Sequence, residues 1–437
     1  MNVSEVIIER LALGGSGVGR VDGKVCFVPF SAPGDRLKVR VMREHRSYCE
    51  AELVEVCDPS PDRVEPRCPV FGTCGGCDWQ HIDYAHQCSH KRQILVETLQ
   101  RVARMSSPQV AETLASEQPF GYRARAQFKL HRTRSGLAVG FYRRNTRSVV
   151  DLPQGCPVVT PAINSAIQKL REVLQKLPDL HHIPQVNMEE GQAGVVATVQ
   201  YNGSDQQRLS WLLLERQGDP GLTGLSLQTG RKGKQHKIFG DDYLSYSIPC
   251  YGGENTIGNL GYKMGGFSQV NRGQNRRMVQ LVSDYSRPDA HQRLLDLYCG
   301  NGNLSLPLAG MVKEVVGIEE FPSSIASAVD NARQLRVNNS TFRCNDAAQE
   351  LRQLLQQQEP FDLVLLDPPR AGAAELVSNL VALSPKRIVY ISCDPATLAR
   401  DLVGLCEGTG YLLDEATPLD MFPQTAHLET VALLTKQ

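Results

Sequence analysis

The sequence predicts a multidomain chain: a small N-terminal β-barrel, a central α+β domain around a cysteine-rich loop, and a C-terminal doubly wound α/β domain. Three observations predict it. Short apolar runs separated by Gly-rich turns fill residues 1–58; three closely spaced cysteines follow a Pro-rich stretch; and from about residue 266 apolar strands alternate with helical segments. The length of 437 residues suits about three domains of roughly 150 each. Hydrophobic residues at 41% and charged residues at 22% exclude wholesale disorder and coiled coil. No run reaches the roughly 18 apolar residues of a membrane helix, and MNVSEVIIERLALGG has no basic-then-apolar leader pattern, so a cytoplasmic protein is expected. Lys+Arg and Asp+Glu are both 47, so any basic surface must be local.

In the first unit, VIIERLAL, KVCFVPF, RLKVRVM and CEAELVEVC read as strands joined at GGSG and SAPGD, and residues 1–55 carry eight basic and eight acidic residues. DPSPDRVEPRCP reads as a linker. Residues 59–265 form the central unit, with a helix over about 87–104 that can pack on the C-terminal domain. Residues 266–437 supply LLDLY, EVVGIE, FDLVLLD and RIVYISC as strands of a mostly parallel sheet.

LLDLYCGNGNLSLPLA reads as a strand, a glycine turn and a helix, with Gly300 and Gly302 letting backbone approach a ligand at the sheet's C-terminal edge. About twenty residues on, Glu319 ends the next strand, placed for ribose hydroxyls. Asp346, after the third strand, is placed for an adenine amino group. The pattern lacks both the three-glycine dinucleotide fingerprint and a Walker lysine, so a nucleoside ligand is favoured over phosphate. S-adenosylmethionine fits. Asp367 opens DPPR at the end of the fourth strand.

Cys393 ends RIVYISC immediately before DPATLARDL, where Asp394 suits an N-cap and Pro395 the first helical position. A thiol beside a helix N-terminus is expected to ionise more readily. In LDMFPQTAHLETVALL, His427 and Glu429 are two apart and share a face of an extended segment, which makes Glu429 a candidate general base.

Cys68, Cys74 and Cys77 have C-x5-C-x2-C spacing among glycines, and Cys156, in QGCPVV, is the best fourth ligand. Thirteen cysteines, an odd number, do not form a secreted disulfide framework, and four thiolates suit either zinc or an iron–sulfur cluster. GYRARAQFKLHR alternates strictly, and residues 121–150 carry eight basic and no acidic residues, a patch suited to a nucleic-acid backbone.

Together these pieces resemble the RNA uracil-5-methyltransferase family over nearly the whole chain, in particular its branch with an N-terminal TRAM domain and an iron–sulfur cluster that modifies 23S ribosomal RNA. DPPRAG followed by IVYISCDPAT, and LDMFPQTAHLE, resemble that family's two signatures; FSQVN and DLYCGNGN resemble its S-adenosylmethionine-binding segments. The resemblance implies an OB-like TRAM barrel and a Rossmann-like methyltransferase domain. It implies that Cys393 is the nucleophile and Glu429 the base, that Gln269, Tyr298, Asn303, Glu319, Asp346 and Asp367 line the cofactor and base pocket, and that Cys68, Cys74, Cys77 and Cys156 hold a [4Fe-4S] cluster. Asp394 stands where the family usually has Asn. The implied reaction adds the Cys393 thiolate to C6 of uracil, making C5 nucleophilic toward the methyl group of S-adenosylmethionine. Ribosomal RNA is the implied partner, with no membrane and no obligate protein partner. Transfer RNA as substrate, or a non-catalytic iron–sulfur RNA-binding protein, are the alternatives.

Overall fold

The computed structural model describes residues 3–134, 136–177, 180–216, 218, 221–230, 233–253 and 256–437. Residues 3–58 form a six-stranded sheet in the order Val3–Ile7, Arg36–Glu44, Tyr48–Asp58, Lys24–Val28, Gly17–Val21, Arg10–Leu11. It curls round a core of Val6, Ile8, Val21, Cys26, Val28, Leu37, Val39, Cys49 and Ala51. The Pro-rich stretch after it is not a free tether. Arg63 reaches back from it to Asp35, buried in the first unit, with Nε 2.7 Å from Oδ1 and Nη2 2.8 Å from Oδ2. A buried carboxylate needs such a partner.

The second sheet has seven strands, from Gln235–Gly240 through Gly224–Thr229, Gly194–Tyr201, Gln185–Gly191, Arg125–Thr133 and Gly136–Tyr142 to Val149–Asp151. The helix Pro161–Gln175 covers it with Ile163, Ile167, Leu170 and Leu174. The basic strand alternates as its sequence predicts: Tyr122, Ala124, Ala126, Phe128 and Leu130 are buried, and the intervening residues face outward. The hairpin Tyr243–Pro249 with Ile257–Lys263 instead buries Leu244, Tyr246, Ile248 and Leu260 in a core shared with the C-terminal sheet.

That C-terminal sheet comprises β1 (Arg293–Leu297), β2 (Glu314–Glu319), β3 (Ser340–Cys344), β4 (Leu363–Leu366), β5 (Arg387–Ser392), β6 (Tyr411–Leu419) and β7 (Glu429–Lys436), in the order β3-β2-β1-β4-β5-β7-β6. β1 to β5 are parallel, and β7 runs antiparallel between β5 and β6. The parallel strands are apolar runs because both faces are covered. Strand order reverses between β1 and β4, so a crevice opens at their C-terminal ends. The helix expected after the glycine turn shrinks to a 3-10 helix, Leu306–Met311, which holds Pro307 and Gly310 in a short span.

The helix expected near 87–104 spans Tyr84–Val102. Asp83 caps it earlier, accepting from the Ala85 amide at 3.0 Å, and the left-handed Arg104 (φ 56°) follows its end. Ile94, Leu95 and Leu99 join a core with Leu398 and Leu402 of the C-terminal domain. Lys91 on this helix, fully buried, pairs with the equally buried Asp420 at 2.5 Å, and Gln87 donates to Gln424 at 3.0 Å. The backbone amides of Asp78 and Trp79 both donate to the Gln424 carbonyl, at 3.0 and 3.1 Å. The segment between β6 and β7 is therefore held by residues more than three hundred positions earlier.

Removing one member of a buried ion pair leaves an uncompensated charge, at a cost of about 3–5 kcal/mol. Asp420→Ala is expected to lower the unfolding free energy by about that much in denaturant titrations, while Lys91→Met combined with Asp420→Leu loses far less. Equal losses in the two variants would show that the pair's charges are not what the interior must satisfy.

Candidate functional site

The crevice is built first from the turn after β1. Tyr298 (φ 65°), Gly300 (φ 55°) and Gly302 (φ 83°) all occupy the left-handed region, which folds the chain sharply and bares backbone at the sheet edge. For Tyr298 that conformation is strained, a kind of strain that collects at functional sites. Glu319 at the end of β2 is fixed by two backbone amides, Gly300 to Oε2 and Phe321 to Oε1, each at 3.1 Å. Asp346 is exposed and caps the helix Ala347–Gln356, accepting from Gln349 at 2.9 Å. Burial first, then the charges of Glu375, Asp346, Glu320 and Glu319, pushes Tyr298 up to about 12.

Asn303 exchanges amide hydrogen bonds with Asn275 at 2.8 and 2.9 Å and accepts from Tyr246 at 3.0 Å. It thereby anchors the helix Arg272–Ser286 to the glycine turn. Gln269 lies half-buried just before that helix, whose cap is Asn271.

Asp296, inside β1, is a candidate for this site that the sequence reading did not single out. It is completely buried, and its oxygens reach no partner of ordinary geometry, Ser305 being the polar neighbour. Burial first, with the carboxylates of Asp367 and Glu319 adding to it, pushes it up to about 7. The available signal was an acid inside an otherwise apolar strand.

The second half of the crevice joins Asp367, Cys393 and Glu429 from the ends of β4 and β5 and the start of β7. The loop after Asp367 is drawn against the helix Pro395–Cys406 by Asp401, which accepts from the Ala373 amide and the Tyr390 hydroxyl, each at 2.7 Å. Gly372 (φ 78°) passes so close that a Cβ there would stand 2.5 Å from Asp401 Oδ2.

Electrostatics reverse one expectation. Although Cys393 precedes a helix N-terminus, its thiol is pushed up to about 11, by burial first and then by the Glu429 and Asp367 carboxylates. At pH 7 roughly one such thiol in ten thousand is ionised. Burial, with two neighbouring acids adding to it, outweighs the partial charge of a helix end. Glu429, buried and beside Asp367, is pushed up to about 8, and burial pushes Asp367 up to about 7. Asp394 caps its helix as expected, accepting from Ala396 at 2.9 Å and Thr397 at 3.2 Å.

Arg370 is the cation that opposes these shifts. It lies close enough to favour the ionised forms of both Cys393 and Glu429, and reaches His427 Nδ1 at 3.0 Å. Sequence reasoning missed it, although DPPR places its positive charge three residues beyond Asp367.

Away from this crevice, Cys68, Cys74, Cys77 and Cys156 all line one cavity of about 450 Å³, together with Arg123, Arg143 and Arg144. All four are free thiols. Burial pushes Cys77 up to about 12 and Cys156 up to about 11, and raises Cys74. Among the described residues, no group of three or more His, Cys, Asp or Glu is arranged as a metal site. The cysteine loop is stitched to the basic sheet, with the Gly75 amide donating to Tyr142 at 3.0 Å and the Arg144 amide to Thr73 at 3.1 Å. The eight basic residues of 121–150 are not all unopposed: Arg125 pairs with Glu189 at 3.3 Å and Arg144 with Asp78, while Arg132, Arg134, Arg143 and Arg147 are exposed. No described helix is long and apolar enough to cross a membrane.

Comparison with known proteins accounts for this arrangement. Residues 83–437 match the tRNA (uracil-5-)-methyltransferase family and residues 2–54 the TRAM domain. The chain is 36% identical to a 23S rRNA (uracil(1939)-C(5))-methyltransferase of Stenotrophomonas maltophilia, covering 97% of this chain and 95% of that one. It is 34% identical to the enzyme of that name from Vibrio cholerae, over 99% and 96%. An uncharacterised RNA methyltransferase of Thermosynechococcus vestitus is 36% identical over 99% and 97%. The tRNA (uracil-54, C5)-methyltransferase of Pyrococcus abyssi, solved with S-adenosyl-L-homocysteine, superimposes with a TM-score of 0.74 at 25% identity, over 99% of this chain and all of that one. The chain belongs to the uracil-5-methyltransferase family, with S-adenosylmethionine as methyl donor and a TRAM domain at its N-terminus.

Proposed function

We propose that this protein transfers a methyl group from S-adenosylmethionine to C5 of a specific uridine in 23S ribosomal RNA. The observation that carries the proposal is the meeting of Cys393, Glu429, Asp367 and Arg370 at one sheet edge. The names of relatives matching the full length of the chain support the ribosomal substrate. In this reading residues 1–58 and 59–265 grip RNA, and residues 266–437 carry the chemistry.

Uracil C5 is too weakly nucleophilic to take a methyl group unaided. Cys393 loses its proton to solvent, helped by Arg370 and by the positive sulfonium of the donor, and its sulfur bonds to C6. The resulting enolate carbon, C5, attacks the methyl group, and S-adenosylhomocysteine is released. Glu429 takes the C5 proton, the C6–S bond breaks, and the thiolate leaves. The enzyme then holds as many protons on Cys393 and Glu429 together as when it began. Glu319, Asp346, Tyr298 and Gln269 bind the donor, with Asn303 positioning the turn and Asp367 facing the base. Reaching the thiolate requires the uridine to leave its stack, costing a few kcal/mol that the exposed arginines offset.

The four cysteines hold a [4Fe-4S] cluster in this reading. Four free thiols lining one cavity give an all-sulfur donor set, which would suit such a cluster. Thiols so raised by burial stay protonated unless a cation compensates them. The reaction itself needs no electron transfer, so the cluster's part is to shape the loop. Protein purified without oxygen is expected to carry about four iron and four sulfide per chain, and Cys77→Ser to lose them; a wild-type chain loaded only with zinc would remove the cluster.

On RNA lacking the modification, Cys393→Ala is expected to form no 5-methyluridine, while Glu429→Gln accumulates a covalent RNA adduct visible on denaturing gels. Turnover by the alanine variant would end the proposed chemistry. Because Glu429 must be ionised to act as base and sits near 8, kcat/KM is expected to climb between pH 6 and pH 9. Arg370→Met, by removing the charge that lowers both Cys393 and Glu429, should move this climb to higher pH and cut the neutral-pH rate about ten-fold or more, with Arg370→Lys partly restoring it. A flat profile above pH 6 would contradict the assigned base.

A further inference from the structure

A second cavity, of about 530 Å³, lies where the N-terminal barrel meets the cysteine loop. Phe30, Phe71 and His81 form its aromatic wall: Phe30 and Phe71 meet edge to face with centroids 5.3 Å apart, and Phe71 and His81 lie 5.5 Å apart. Leu53, Val64 and Pro66 are further apolar lining, and Arg63 and Glu65 supply the charged groups. Three features set it apart from ordinary interdomain packing.

His81 is only 3% exposed, yet neither ring nitrogen has a hydrogen-bond partner of ordinary geometry, the Ser31 backbone being the polar group nearest to serving. Burial first, then the Arg63 charge, pushes it down to about 4, so at neutral pH the ring offers one donor and one acceptor. A buried polar group left in this state normally signals a missing partner.

Phe30 is held in the left-handed backbone region at φ 61°, which disfavours a bulky side chain. Its carbonyl is fixed by Arg63 Nη2 at 2.9 Å, so the strain is kept in place by the Arg63–Asp35 pair.

The cavity is also continuous with the basic sheet. The Arg144 guanidinium lies 4.8 Å from the Phe30 ring centroid, next to the exposed Arg143 and Arg147, and Phe71 lines both this cavity and that of the four cysteines.

We infer that this cavity receives an unpaired nucleobase of the RNA substrate, other than the methylated uridine. A base supplies a flat face for Phe30 and Phe71, with His81 packed behind them, while the neighbouring arginines hold its phosphates. Such a site would secure part of the energy needed to keep the RNA loop open while the target enters the crevice. The inference rests on the RNA-methyltransferase reading.

Phe30→Asn tests it, since asparagine accepts the left-handed backbone and removes the ring. The probe is a transcribed 23S rRNA fragment that the wild-type protein methylates, together with copies carrying one abasic nucleotide at each unpaired position in turn. Wild-type protein should lose roughly ten- to hundred-fold in affinity at one abasic position besides the target. Phe30→Asn should lose a similar factor on intact RNA, keep its melting temperature, and no longer distinguish that abasic copy; His81→Ala should behave likewise. Undiminished abasic penalties in both variants, or intact-RNA affinity equal to wild type, would overturn the pocket. Absence of methylation of any 23S fragment by the wild-type protein would instead overturn the reading beneath it.

Discussion

The base of the proposed reaction, Glu429, opens a strand whose approach is fixed from elsewhere in the chain. The segment from Asp420 to Leu428 has no regular structure of its own, and its geometry is imposed by Lys91, Gln87 and the backbone of Asp78 and Trp79. The Tyr122 hydroxyl adds a bond to the Pro423 carbonyl at 3.0 Å, and Gln274 donates to the Asp420 carbonyl at 3.1 Å. A fully buried ion pair is weak as a source of stability but strong as a specifier, because any other arrangement would strand a charge in the interior. Displacing this segment would therefore cost several kcal/mol, whereas a loop held only by apolar contacts can repack for less.

This rigidity matters because the crevice concentrates acids. Asp296, Asp367, Glu429 and the Cys393 thiol all sit above their ordinary values, burial being the first cause in each case. Like charges so close cannot all ionise, and the site stores protons until a cation arrives. Arg370 is one such cation, and the sulfonium of the donor would be another. In the proposed reaction, ionisation of Cys393 would then be favoured when the donor's positive charge lies beside it. A helix N-terminus alone would have activated Cys393 continuously, without regard to substrate.

Much of this was legible in the sequence, in proportion to how local each signal was. The five parallel strands, the glycine turn and the alternating basic strand are short-range patterns, and each lies where its residues predict. Cys393 and Glu429 share one crevice as the signatures imply. The helix start at Tyr84 was misjudged because its cap is a single Asp, and the helix after Gly302 was overextended because Pro307 and Gly310 favour a tighter turn. The linker looked free because nothing in DPSPDRVEPRCP announces that Arg63 will find Asp35. Most instructive is the thiol. Sequence shows the helix that Cys393 precedes, but the burial that dominates its ionisation, and the carboxylates that add to it from separate strands, arise only in the fold.

A contact of the same non-local kind joins the cysteine loop and the basic sheet to the segment before Glu429. Asp78, one residue beyond Cys77, is paired with Arg144 of the basic sheet, and its Oδ2 accepts from the Ala426 amide at 3.3 Å, three residues before Glu429. A single carboxylate thus touches the cysteine loop, the basic hairpin and the segment that carries the base. Whatever fixes the cysteine loop, which the proposed cluster would do, also fixes Asp78 and through it the approach to Glu429. Such a cluster would need no redox role to bear on the reaction, because a loop held rigid there is joined to the segment before Glu429 by the Arg144–Asp78–Ala426 contacts.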